Sequence, residues 1–171
     1  MDAITLLQDL AQRPVDALEW FWDRLEPAQL NAHPGGHDNS PAWVLWHAGR
    51  ELDVQLAHLS GRSQTWTDQG FAERFGLEVA DDDLGYGHTP EQARAIVVPE
   101  TGEAKQLLRD YLRAVTDAAT AYLGTLTAED LDEVIDTTWD PPVTRGVRLV
   151  SLFDDALQHV GQVGYIAGMR D

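Results

Sequence analysis

Four stretches of this sequence set apolar residues three or four positions apart, a spacing that puts each set on one face of an α-helix. The first runs Ile4, Leu7, Ala11, Pro14, Leu18, Phe21, Leu25. Pro14 interrupts it; proline has no amide hydrogen and crowds the preceding turn, so the expectation is either a kink or two abutting helices. The second covers residues 42–59 with Leu45, Ala48, Leu52, Leu56 and Leu59 as its stripe. Ser40-Pro41 opens it, because a serine hydroxyl caps free amides and proline suits the first helical position, and Ser60-Gly61 closes it. The third runs from about Glu103 to Leu123 on Ala104, Leu108, Tyr111, Val115, Ala118 and Tyr122. The fourth runs from about Arg148 to Ala167 on Phe153, Leu157, Val160 and Gly164, with Gly168 as its stop.

The connections are long. Residues 62–102 are the least regular part, with Asp81-Asp82-Asp83 and Gly85-Tyr86-Gly87 reading as exposed loop and Thr89-Pro90-Glu91-Gln92 as a capping box that starts a short helix. A connection of this length often serves as a lid or a pocket wall. Trp139-Asp140-Pro141-Pro142 is a rigid, non-helical stretch, and strand signals are weak throughout. These features predict an all-α chain: a four-helix bundle with long crossover connections and short accessory helices, forming a single domain over residues 1–171.

Composition narrows the function. Acidic residues number 29 against 12 lysines and arginines, and the nearest thing to a basic cluster is Arg145 with Arg148, too small for a nucleic-acid surface. The same charge repels anionic membranes. No apolar run approaches the roughly 20 residues that span a bilayer, and the amino terminus lacks the basic start and apolar run of a signal peptide. The expected setting is therefore cytoplasmic. There is no cysteine, which excludes disulfides, thiolate metal sites and a cysteine nucleophile. No phosphate loop, dinucleotide fingerprint or serine-hydrolase elbow is present.

Asp155 and His159 stand four residues apart, one turn apart on the same face of the last helix, where a carboxylate and an imidazole can share one cation. His47 lies mid-helix among Trp43, Val44, Leu45 and Trp46, and a bundle can bring the inner faces of the two helices together. Two imidazoles and one carboxylate leave coordination positions open for water or substrate. Three plainer readings compete: His47 as a hydrogen-bonded core histidine, Asp155 bonded to nearby backbone or an arginine, and His159 at a subunit contact.

Two segments carry a resemblance. Asn39-Ser40-Pro41-Ala42-Trp43-Val44-Leu45-Trp46-His47-Ala48 and Leu152-Phe153-Asp154-Asp155-Ala156-Leu157-Gln158-His159-Val160-Gly161-Gln162 resemble the signatures of the DinB superfamily, which includes the mycothiol-dependent maleylpyruvate isomerases. The order of elements agrees along almost the whole chain. The resemblance implies a four-helix bundle with a divalent metal, zinc or nickel foremost, held by His47, Asp155 and His159. Many such relatives have a second histidine where this chain has Asp155, and the isomerase branch has an acidic residue there, usually glutamate. Aspartate is shorter by one methylene; Asp154 is the alternative, on a face about a hundred degrees away.

The implied chemistry is thiol-dependent transfer. A metal lowers the pKa of a thiol, and with no cysteine in the chain the thiol must be a low-molecular-weight cofactor such as mycothiol or bacillithiol, attacking a small electrophile. The same open metal can instead activate water. The alternative is a non-catalytic, stress-linked metal-binding or interaction bundle. Among other residues, Glu51, one turn beyond His47, reads as an exposed salt-bridging glutamate or else as a partner behind the metal ligands or a base; Gln162 as an orienting group or a bundle hydrogen bond; and Arg50 as a surface arginine or a binder of a thiol cofactor's carboxylate. His58 reads as solvent-facing, and His33, His37 and His88 sit in loops without ligand spacing. Trp20 and Trp22 point to different faces, so one is expected exposed, which suggests a homodimer surface. Trp43 and Trp46 are expected to pack at the metal pocket or in the core.

Overall fold

Asp2 caps helix α1 (Ala3–Phe21), its carboxylate accepting the Thr5 amide hydrogen at 2.8 Å, and the helix then runs through Pro14 without dividing into two. The computed structural model, which describes residues 1–169, buries Pro14 together with Leu7, Ala11, Val15, Leu18 and Phe21 on the expected stripe. Three short 3-10 turns (Trp22–Arg24, Pro27–Gln29, Pro34–Gly36) lead to α2 (Pro41–Ser60), capped by Ser40 through the Trp43 amide at 3.1 Å and stopped by Gly61 in the left-handed region. The long connection then holds three short helices, α3 (Thr65–Asp68), α4 (Phe71–Phe75) and α5 (Pro90–Ala95), the last opened by the anticipated capping box.

Helix α6 (Gly102–Leu123) follows a Thr101 cap. A 3-10 turn (Glu129–Asp132) precedes two short antiparallel strands, β1 (Val134–Asp136) and β2 (Val143–Thr144), with an irregular register. The Trp139-Asp140-Pro141-Pro142 stretch is the turn between them. Helix α7 (Arg145–Ala167) begins three residues before the apolar stripe suggested, because Thr144 caps it through the Val147 amide at 3.3 Å.

The long helices pack in a ring in which α1 and α2 each touch both α6 and α7. Helices α1 and α2 are therefore diagonal, as are α6 and α7, which explains why residues 22–40 and 124–144 need such length to cross an end of the bundle. The fold is all-α, as expected, apart from the small ladder. Its core is continuous through Leu18, Leu45, Leu112, Val115, Leu149 and Val160; burying a side chain of this kind is worth about 1.5–3 kcal/mol. Helices α2 and α6 approach closely at Gly49, where an added Cβ would lie 2.6 Å from the Tyr111 ring. That contact fixes how α2 is turned, and hence which of its residues look toward α7. Among the described residues, no helix is long and apolar enough to cross a membrane.

Candidate metal centre

The α2–α7 seam carries two mirrored pairs. On α2, His47 Nε2 lies 3.4 Å from Glu51 Oε2; on α7, His159 Nε2 lies 3.3 Å from Asp155 Oδ2. Packing of the two helices brings the pairs face to face, with the imidazole rings 4.7 Å apart and edge-on. One donor atom from each of the four side chains lies within 4.8 Å of the rest, and among the described residues no other three such side chains gather so closely.

Each imidazole is oriented from behind. The Nδ1 of His47 bonds the Leu84 carbonyl, so it holds the ring proton and leaves the Nε2 lone pair facing the cluster. Trp43 stacks on the same ring at 4.6 Å. His159 Nδ1 lies 3.3 Å from Gln162 Oε1, which sets its ring in the same sense.

Leu84 belongs to a loop that two devices hold in place. Arg50 Nε donates to the Asp83 carbonyl at 2.9 Å, and its Nη2 reaches the Asp81 carbonyl. His88 accepts the Trp43 indole hydrogen at Nδ1 (3.2 Å) and donates from Nε2 to the Asp83 carboxylate (3.0 Å), while its ring stacks on Trp46. Gly85 has φ +86°, and a Cβ there would stand 3.0 Å from both His47 Nδ1 and Trp46, so the backbone must pass close and left-handed at this point.

Electrostatics divides the two carboxyls. Burial first, then the Asp155 carboxylate beside it, push Glu51 up to about 7. The His159 imidazole chiefly, with Glu51 and His47 adding, holds Asp155 down to about 2 against the opposing effect of burial. Burial lowers His47, which favours the neutral ring that a metal needs, whereas the Asp155 carboxylate beside it raises His159.

The donor set fits a divalent cation. Asp155 Oδ2 is buried and accepts no hydrogen bond. Ligand atoms around a tetrahedral zinc stand about 3.3 Å apart, which both intrahelical pairs already match. Two clefts reach the group. One, of about 690 Å³, is lined by His159, Gln162, Val44, Tyr165 and Ile166; the other, of about 520 Å³, by Glu51, Asp155, Gln55, Arg148 and Leu152.

The DinB superfamily profile matches residues 10–163. The chain belongs to the DinB superfamily. A crystal structure described as that of a conserved protein of a locus from Enterococcus faecalis has 38% sequence identity and a TM-score of 0.86, covering 98% of this chain and 96% of that one. No curated protein matches the chain.

Within this DinB chain the sequence candidates separate. His47, Asp155 and His159 come together, while Asp154 is exposed and accepts a bond from Gln158 instead. Glu51 corrects the exposed reading: it is half-buried inside the cluster. Arg50 corrects the surface reading and the cofactor-binding one. It is fully buried, its guanidinium engaged by loop carbonyls, Gln64, Tyr111 and Asp53, so it cannot reach a ligand's carboxylate. His88, without ligand spacing in the sequence, is the rear support of the loop behind His47; its relation to Trp43 and Asp83 spans a connection that no helical period encodes. His33 and His37 are tied to each other, His33 Nδ1 meeting the His37 carbonyl at 2.9 Å, and His58 is exposed. Trp20 is 87% exposed and Trp22 buried, as their opposite faces required; Trp46 is fully buried in the core.

Proposed function

We propose that this DinB-superfamily protein is a metal-dependent enzyme that activates a small thiol, or water, for attack on a small electrophile, with the metal held by His47, Asp155 and His159. The observation that carries this reading is the convergence of four donor atoms beside two open clefts. A divalent ion at this point would lower the pKa of a thiol or water beside it. The Leu84 carbonyl keeps His47 in the required tautomer, and the Gln162 amide does the same for His159. Glu51, whose carboxyl lies 3.4 Å from His47 Nε2, is placed to take the proton that the thiol or water gives up. Imidazole and carboxylate donors suit zinc or nickel. The missing thiol in the chain makes the sulfur donor a second substrate, such as mycothiol or bacillithiol, and two clefts suit two substrates.

A second reading has one observation in its favour: Glu51 is close enough to be a fourth ligand, and a closed four-ligand zinc has no position for chemistry. The two are separated by assaying zinc-loaded protein with a panel of low-molecular-weight thiols and 1-chloro-2,4-dinitrobenzene. Turnover above the thiol-only background, lost in His159→Ala and reduced in Glu51→Gln, is the expected result. No turnover with any thiol, and no ester hydrolysis, supports the closed, non-catalytic site.

A further inference from the structure

The cleft on the Glu51 side has features that proton transfer does not use. Along α7, Arg148 stands seven residues before Asp155, two turns or about 10 Å down the same face. Along α2, Gln55 stands one turn beyond Glu51. These residues form a chain: Gln55 Nε2 donates to Glu51 Oε1 at 3.1 Å, Arg148 Nη1 donates to Gln55 Oε1 at 3.3 Å, and Arg148 Nη2 donates to Asp136 Oδ2 at 3.0 Å. The four residues run from the metal group to the small β-ladder along one cleft wall.

Arg148 differs from its neighbour Arg145. Arg145 is engaged by the Leu59 carbonyl, the Tyr122 hydroxyl and Glu133. Arg148 meets each of its two partners through one nitrogen only, so donors of its five remain over, and its half-buried side chain lines the cleft. Asp136, its ion-pair partner, is itself fixed by the Thr138 amide and hydroxyl at its other oxygen. At the mouth stand two large aromatics, Tyr86 from the 76–89 loop and Trp139 from the β-turn, 87% and 66% exposed. Exposed aromatics at the entrance to a cleft with an arginine inside point to a ligand with a flat apolar body and an anionic end.

We propose that this cleft binds a small planar carboxylate, with Arg148 holding the carboxylate and Tyr86 and Trp139 flanking the body. The far end of the molecule then lies at Glu51 and Asp155. This assigns the substrate class of the proposed metal site and rests on that reading. Three carboxylates, Glu51, Asp136 and Asp155, line the cleft with the one arginine, so an anion enters favourably only once the metal has neutralised two of them.

The test uses the full chain in two steps: zinc binding by calorimetry, then titration of the zinc-loaded protein with benzoate and with its neutral analogue benzamide, followed by tryptophan fluorescence. Benzoate is expected to bind tighter than benzamide by tenfold or more, and Arg148→Met is expected to erase that difference while leaving zinc binding intact. Tyr86→Ala, at an exposed loop tip where no core packing is lost, is expected to weaken benzoate several-fold. Protein that takes up zinc but shows no benzoate binding, or binds it equally in Arg148→Met, overturns the carboxylate site alone, since the anion would then be going to the metal or nowhere. Protein that takes up no zinc overturns the metal reading and this one with it.

Discussion

Helix α2 bears charged groups on two of its faces, and the contrast between them separates support from function. On one side, Arg50 and Asp53 form a buried ion pair at 3.6 Å whose remaining valences are filled. Asp53 accepts the Thr65 and Trp66 amides, each at 2.7 Å, and the Tyr111 hydroxyl at 2.9 Å, and Arg50 lies against the Trp66 ring. On the other side, His47 and Glu51 meet Asp155 and His159 with lone pairs left over and an acceptor without a donor. Burying charge is costly in both places. The first cluster offsets that cost with protein hydrogen bonds, and the second leaves it to be offset by a cation. The first also serves the second, because Arg50 holds the loop whose Leu84 carbonyl sets His47.

The sharpest division should appear in stability. Asp53→Ala leaves Arg50 buried and two amides unpaired, and urea denaturation should show a loss of about 3–5 kcal/mol. If the loss is no larger than that of His159→Ala in chelator-treated protein, the contrast between the clusters fails. Gly85→Ala should break the link between them: its Cβ displaces the loop from His47, and zinc affinity in a competition assay should fall about 10–100-fold while helix content is retained.

A smaller effect should appear in the pH dependence of the metal-free protein. Glu51 has a folded value near 7, above its unfolded one. Its contribution is therefore fully present below the unfolded value and is lost as pH rises through 7, when the carboxylate ionises beside Asp155. Thermal melts in chelator should fall between pH 5 and 8 by the equivalent of about 2 kcal/mol, and Glu51→Gln should flatten the curve. A wild-type curve already flat across that range contradicts the half-buried, carboxylate-paired Glu51. The smallest effect belongs to Gln162→Leu: removal of one long hydrogen bond at a solvent-facing position should weaken zinc by about threefold.

The long helices were legible because their information is local. Ser40-Pro41, Gly61 and the apolar stripes report on neighbours three and four residues away, and the structure keeps them almost to the residue. The α7 start was read three residues late because Thr144 caps a first turn that carries no stripe. Asp155 and His159 were visible as an i, i+4 pair, and the same signal was present in His47 and Glu51; two such pairs mirrored on two bundle helices point to Glu51 more strongly than either does alone. The rear supports were not legible. Leu84 acts through its backbone carbonyl, which any residue could supply, and Arg50 and His88 act on partners 31 to 45 positions away or five positions along an irregular loop. The two-strand ladder pairs segments too short for alternation to register.

The central claim, that the open cluster is completed by a metal, is tested most directly by the metal content of untagged protein beside the His47→Ala, His159→Ala double variant, each measured as purified and after zinc addition and desalting. About one equivalent in the wild type and none in a folded variant is the predicted result. No metal in the wild type even after zinc addition, or equal uptake by the variant, would contradict the account.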